Sequence, residues 1–499
     1  GHMEPMYARA LVPLLLASVT ASPWRADKYP CVLCDHLVES LIDGKAFDDV
    51  CTRVGACDFL APYRNSTEGD VHMHLPGGFE IWGQVPTQAR DVIVRTVCET
   101  AGLCAAEDEK TGVTASTPDV RVTPVLAKRG YNFVRVSMID DASSATKPDT
   151  TPADLFTYSK QFQYRWTNMR LNSGLLAISP GNTTSVTIGG TTFDILLPSE
   201  GQGVRGIVIA DPCYSGKWVS CQFGAKLQTF DRITGFLNAA AAVPASEGGI
   251  DFFMILGDNF YDRTGELTTK FFSALSAQAK AKLFAAAPGN HDYWVGGSPV
   301  IQSQKKDQFG NGFMQYYAMD VMAGANDAVN FLDFSQNPSK GSGYMKKNLP
   351  KASNFQSYFK IGNLAFISYS GAYSDKEQTP FLKEACKWLG EQKDVMSAFV
   401  IGHWNDGGLG CANGMSVPQV RAKVEAIDGC GEYSDRLKYL MGHTHCNQVT
   451  ETNVGFMVAG MGMEGCGNFG VPVVDTTNGT TQVLYYPIQE SSSSTDKYA

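Results

Sequence analysis

Beyond His74 this 499-residue chain has four histidines, His291, His403, His443 and His445, and each lies in a short glycine-bearing motif directly after an apolar run. The arrangement repeats along the second half of the chain. Residues 204–210 run into Asp211, and 252–256 run into Gly257-Asp258-Asn259-Phe260-Tyr261. Residues 283–287 reach Pro288-Gly289-Asn290-His291-Asp292, 398–401 reach Gly402-His403, and 437–441 reach Gly442-His443-Thr444-His445. Short continuous apolar runs read as strands, and the helical patterns at 225–242 and 380–392 intervene between them. The region from 204 onward therefore reads as α/β, with polar residues presented at strand ends, where sites in such folds gather.

Together these loops offer Asp211, Asp258, Tyr261, Asn290 and the four histidines. Carboxylates with imidazoles are enough for two metal ions sharing a bridge, and that donor set suits Fe, Zn or Mn better than Ca or Mg. Taken in order, Gly-Asp-Asn-Phe-Tyr, Gly-Asn-His-Asp, Gly-His-Trp and Gly-His-Thr-His resemble the motif series of the calcineurin-like metallophosphoesterases, and within them the purple acid phosphatase branch. The resemblance spans 204–470. It implies a metallophosphoesterase β-sandwich flanked by helices, with Asp211, Asp258, Tyr261 and His445 holding one ion and Asp258, Asn290, His403 and His443 the other. Asp258 would bridge. A phenol ionises readily only against a strongly acidic cation, because its ordinary pKa is about 10, so the Tyr261 side is expected to take Fe(III) and the second site Fe, Zn or Mn.

The implied activity is that of an acid phosphatase: hydrolysis of phosphate monoesters, with a hydroxide acidified between two cations attacking phosphorus in line. His291, next to Asn290, is the implied catalytic residue, as general acid or phosphate contact. A second substrate-side histidine, which some relatives carry after Gly-His, has no counterpart in 405–410; Asp406 is the acid available there. A sphingomyelinase-like lipid phosphodiesterase is the alternative enzyme. That branch places histidine two positions after the first Asp and has no phenol, whereas this chain has Cys213 and Tyr261. Cys213 reads as a buried or disulfide-bonded thiol. A catalytically inactive membrane-associated scaffold is the alternative outside enzymes, although all seven ligand positions are filled.

Ahead of this region the chain divides further. Gly1-His2-Met3 reads as a tag remnant without function, and 10–19, followed by the small residues ending at Ala21, as a secretory signal, so 1–21 is expected to be tag remnant and signal peptide. A buried N-terminal helix is the other reading of that run. From 28 to 106, six cysteines at 31, 34, 51, 57, 98 and 104 accompany apolar residues at helical spacing. The opening Cys-x2-Cys and closing Cys-x5-Cys resemble the saposin-like fold, a small disulfide-rich α-helical domain, which implies contact with lipid or a membrane surface. A disulfide-braced cap without a ligand is the alternative, and His36, His72 and His74 read as solvated. Pro76-Gly77-Gly78 interrupts the helical pattern.

Residues 107–203, rich in Thr, Ser, Asp and Pro, read as linker and irregular β structure, with β-prone runs at 184–188 and 192–197. The catalytic domain is expected over 204–489, followed by a polar tail, 490–499, with no lipid-anchor signal. Thirteen cysteines and sequons at Asn65, Asn182 and Asn478 fit a glycosylated protein of an oxidising compartment: secreted, lysosome-like or at the cell surface. An odd cysteine count leaves at least one thiol free or paired between chains. With 41 Lys and Arg against 50 Asp and Glu, a net charge of −9, there is no basic footprint for nucleic acid.

Overall fold

The computed structural model describes residues 70–75, 79–84, 117–141, 143–144, 148–162, 169–214, 229–262, 265–292, 317, 355–371, 373–403, 415, 417–443, 445, 448–451, 455–457 and 470–487. They belong to two units, 1–114 and 115–499. In the first, β1 (Asp70–Leu75) pairs antiparallel with β2 (Phe79–Gln84). Val71, Met73 and Leu75 alternate there with Asp70, His72 and His74, a period of two that suits a strand and not a helix. The rest of 28–106, where a saposin-like module is expected, the segment 1–21, Asn65 and the tail 490–499 lie outside the described residues.

The second unit opens with β3 (Asp119–Pro124), β4 (Phe133–Asp141), β5 (Thr150–Thr151), β6 (Tyr158–Phe162), β7 (Met169–Ala177), β8 (Thr183–Ile188) and β9 (Thr191–Leu196). There follow β10 (Arg205–Ile209), α1 (Thr229–Ala242), β11 (Phe252–Leu256), α2 (Glu266–Ala274), α3 (Ala277–Lys280) and β12 (Leu283–Ala287). Then come β13 (Tyr358–Ile361), β14 (Leu364–Tyr369), α4 (Asp375–Glu391), β15 (Ser397–Gly402), α5 (Val417–Glu425) and β16 (Leu437–Met441). The last strands are β17 (Gln448–Glu451), β18 (Gly455–Met457), β19 (Gly470–Asp475) and β20 (Gln482–Pro487). The largest sheet runs β20-β19-β10-β11-β12-β3-β4-β7-β6, a second runs β13-β14-β15-β16-β18-β17, and a small third is β5-β8-β9. The centres of the first two are parallel: β10 with β11 and β12, and β14 with β15 and β16.

The first two sheets face each other. Phe366 of β14 stacks on Phe399 of β15 and meets Phe252 of β11 edge-on at 5.7 Å between ring centres. Alternation explains why these runs are apolar throughout: Leu364, Phe366, Phe399, Ile401 and Leu440 enter the inter-sheet core. Their neighbours Ala365, Ile367, Val400 and Tyr439 pack beneath Leu382, Cys386 and Leu389 of α4 and Val420 and Val424 of α5. Both faces are buried, as parallel strands require. Likewise Phe253 of β11 faces away from Phe252 and packs on Phe284, which meets Phe272 of α2.

Two sequence expectations change. Within 107–203, expected as linker and irregular β structure, the β-prone runs at 184–188 and 192–197 are β8 and β9, but the described part also carries regular strands of the large sheet: β3 pairs with β12, and β4, β7 and β6 continue it outward. Polar side chains inside these strands hid them, since Arg135 and Ser137 are buried and share Ser173 as a hydrogen-bond partner. The helix expected from Pro380 starts a turn and a half earlier, where Ser374 and Glu377 form a reciprocal capping box. Among the described residues, no helix is long and apolar enough to cross a membrane.

At the pole opposite the strand-end loops, Asp251 enters β11 with its carboxylate accepting from the Arg205 amide at 2.9 Å. Burial raises its pKa to about 6, although the amide and Lys282 pull the other way. A raised carboxyl binds its proton more tightly folded than unfolded, so stability is full near pH 4 and falls as pH rises through 6, by about 3 kcal/mol. Asp251→Asn keeps an acceptor for the amide and has no charge to bury. Urea denaturation should find the variant equal to the parent near pH 4 and more stable at pH 7.5.

Candidate metal centre

Five strand ends converge on one site. β10, β11 and β12 of the large sheet lead into Asp211, Gly257-Asp258 and Gly289-Asn290; β15 and β16 of the smaller sheet lead into His403 and Gly442-His443. Adjacent parallel strands place their carboxyl ends side by side, so ligands distant in sequence become neighbours. The Asp211 amide donates to Gly257 O at 3.1 Å and the Gly442 amide to Gly402 O at 3.2 Å, carrying each ladder into its loop.

His403 occupies the seam between the sheets and is fully buried. Its Nδ1 lies 2.8 Å from the carbonyl of Leu256, which can only accept, so Nδ1 carries a hydrogen. Nε2 then faces three further oxygens, Asn290 Oδ1 at 3.1 Å, Asp258 Oδ2 at 3.3 Å and Asp211 Oδ1 at 3.5 Å. A ring nitrogen surrounded in this way needs a positive partner, either a proton or a cation. Burial alone would lower the His403 pKa, but Asp258 and Asp211 outweigh it and raise it to about 10. For Asp258 burial works upward, and His403 and His291 together hold the carboxyl below its usual range.

Space for that imidazole comes from glycines. A Cβ on Gly257 would lie 2.5 Å from the His403 ring, and one on Gly442 2.6 Å from its Nδ1. On Gly289 it would lie 2.3 Å from the Asp258 amide nitrogen and Oδ1. Glycine in these motifs is therefore a packing requirement of the site.

Two donor groups result. Asp258, His403 and His443 place ligand atoms within 4.8 Å of one another, and so do Asp211, Asp258 and His445; Asp258 belongs to both. Asn290 joins the first, its Oδ1 3.0 Å from His443 Nδ1 and 3.1 Å from His403 Nε2. Its amide nitrogen is buried without a hydrogen-bond partner, while the oxygen, the atom able to ligate, faces the two histidines. Tyr261 joins the second: its hydroxyl donates to Asp211 Oδ1 at 3.2 Å and lies 2.9 Å from His445 Nε2. Burial, then Asp211 and Asp258, push this phenol well above its ordinary pKa, so ionising it calls for a cation beside it. His445 is moved upward by its Asp211 hydrogen bond against the effect of burial. All seven residues expected as ligands are thus together, and their chemistry fits two cations.

Among the described residues, the non-glycine positions with positive φ are Asp211, Asp258, Phe260, Tyr261, His443 and His445, and every one lies here. Each costs on the order of 1 kcal/mol, and such strain persists where a site holds it. His291 stands at the mouth, its side chain 24% exposed, its ring edge-on to Tyr261 at 4.7 Å and its Nε2 3.9 Å from Asp258 Oδ2. Cys213 is disulfide-bonded, and its backbone forms a parallel β-bridge with Phe260, a structural role. Sequence reasoning passed over Asn259, Asp262 and Asp292, which hold the loops from behind. Asp262 accepts from the Gly265 and Thr268 amides and the Thr268 hydroxyl, anchoring Tyr261 to the start of α2. The available signal for the two carboxylates was an acidic residue directly after Tyr261 and directly after His291. Asn182 and Asn478 sit in exposed turns, while Asp406 lies outside the described residues.

The family comparison agrees with this geometry. Residues 207–447 match the family model described as calcineurin-like phosphoesterase. No curated protein matches the chain. Solved structures similar to it include a dimetal phosphatase from Danio rerio, at 9% identity and TM-score 0.32, over 58% of this chain and 99% of that one. Others are a putative 5'-nucleotidase from Staphylococcus aureus, at 13% identity and TM-score 0.29, over 58% and 55%, and the sulfate thiohydrolase SoxB from Thermus thermophilus, at 13% and 0.28, over 59% and 58%. With the family match spanning the motif loops from Asp211 to His445, the chain carries a calcineurin-like metallophosphoesterase domain.

Proposed function

We propose that this protein is an exported acid phosphatase of the purple type, hydrolysing phosphate monoesters at a two-metal centre. The observation that carries the reading is Asp258 standing in both donor groups, with the Tyr261 hydroxyl beside Asp211 and His445 in one of them. Asp211, Asp258, Tyr261 and His445 would hold ferric iron; Asp258, Asn290, His403 and His443 would hold Fe, Zn or Mn. When bound, the pair supplies Lewis acidity for the phosphoryl oxygens and lowers the pKa of water.

The protein's own groups do the rest. His403 is held by Leu256 O in one tautomer, so its Nε2 is aimed at the centre without reorganisation. The His291 backbone amide donates to Asp258 Oδ1 at 2.8 Å, which fixes the base of its side chain while the ring stays open to the mouth. From there the imidazole can give a proton to the departing ester oxygen. Export is supported by the described cysteines: Cys213, Cys386 and Cys430 are all disulfide-bonded, the last two to each other.

Three outcomes are expected. Asp258→Asn should lose metal from the stoichiometry of two per chain and cut kcat/KM on a phosphate monoester by about 100-fold or more, several kcal/mol of transition-state stabilisation. Tyr261→Phe should abolish the visible phenolate-to-iron absorption of the purified protein while the fold is retained. His291→Asn should slow esters with basic leaving groups by about 100-fold and those with acidic leaving groups far less. A colourless parent, or a parent faster on a choline-type diester than on a monoester, would overturn the reading.

A further inference from the structure

We infer that Asp292 is a positioning residue that sets the distance between the Asp258 and Asn290 turns, and so governs the affinity of the cation position they share. The inference rests on the two-ion reading and goes beyond it. The ladder between β11 and β12 ends at Leu256 and Ala287. Beyond that point the turns carrying Asp258 and Asn290 must be held together by other means.

Asp292 spans the two turns. Its Oδ2 accepts from the Gly289 amide at 2.7 Å, one residue before Asn290, and from Asn259 Nδ2 at 2.9 Å. The Asn259 amide, one residue after Asp258, approaches Oδ1 at 3.2 Å and Oδ2 at 3.3 Å. Asn259 Nδ2 also reaches Ala287 O at 3.3 Å, tying the same turn to the end of β12. Asp292 is fully buried, so these bonds have no water competing for them.

Only a carboxylate suits this place. Three N–H donors converge on two acceptor oxygens, and an amide would turn its NH2 against one of them. The close approach that Asp292 fixes is the one Gly289 permits, where no Cβ would fit against Asp258. Groups one bond network removed from a ligand typically alter metal affinity 10- to 100-fold.

The test is titration of metal-free protein with Zn(II), followed by calorimetry, on the parent, Asp292→Asn and Asn259→Ala, with circular dichroism and thermal melting alongside. The parent should bind two ions. Asp292→Asn should keep the fold and one binding step, with the other weakened 10- to 100-fold; Asn259→Ala, which removes one of the bonds, should weaken the same step less. Raising the metal concentration should return Asp292→Asn toward the parent kcat with KM for substrate unchanged, a rescue that a collapsed site would not show. If both steps in both variants match the parent, the inference is wrong while the two-ion reading stands. If Asp292→Asn is unfolded and Asn259→Ala binds as the parent does, the inference also fails. A parent that binds fewer than two ions with Fe(III) and Zn(II) both supplied overturns both.

Discussion

The hydrogen bond from His403 Nδ1 to the carbonyl of Leu256 joins the end of β15 in one sheet to the end of β11 in the other, and the centre is built around it. It spends one ring nitrogen on the scaffold and leaves the second facing a ring of oxygens. The surroundings follow: glycines at 257 and 442 where the imidazole passes, and at 289 where the Asp258 turn crosses. A site at the seam of two sheets also explains why its residues are spread over more than two hundred positions. Each strand end contributes one or two donors, and the paired aromatic core beneath fixes how far apart those ends lie.

The turns above that seam are held against local backbone preference. Left-handed conformations at Asp211, Asp258, Tyr261, His443 and His445 accompany polar side chains that gather at the centre. Asp262 and Asp292 offset part of that cost by taking up loose amides. The same turns concentrate acidic groups in a buried place. Without a cation, protons have to supply the missing positive charge, which is the physical content of the raised His403 and the unionised Tyr261.

Much of this was legible in the sequence. The runs at 252–256 and 283–287 are the observed strands β11 and β12, because strands buried on both faces have no polar residue to interrupt them, and 437–441 is β16, where the half-buried Lys438 is the one polar residue. The donors were legible because each follows such a run directly. What stayed hidden were strands whose buried positions are polar, such as β4 with Arg135 and Ser137, since only the partner strand reveals that those groups are satisfied. Asp292 stayed hidden for the same reason: its partners Asn259 and Gly289 come from two turns, and its role exists only once the sheet has brought them together. α4 begins ahead of the helical pattern at 380–392, because the capping box of Ser374 and Glu377 starts it on a polar turn that apolar spacing does not mark.

The central claim is that one carboxylate serves two cations. Anomalous diffraction from crystals of metal-loaded protein tests it most directly. The account predicts two peaks, about 3.5–4 Å apart, with Asp258 between them, one against Tyr261 and His445 and the other against Asn290, His403 and His443. A single peak, or a pair of which either member does not touch Asp258, would contradict it.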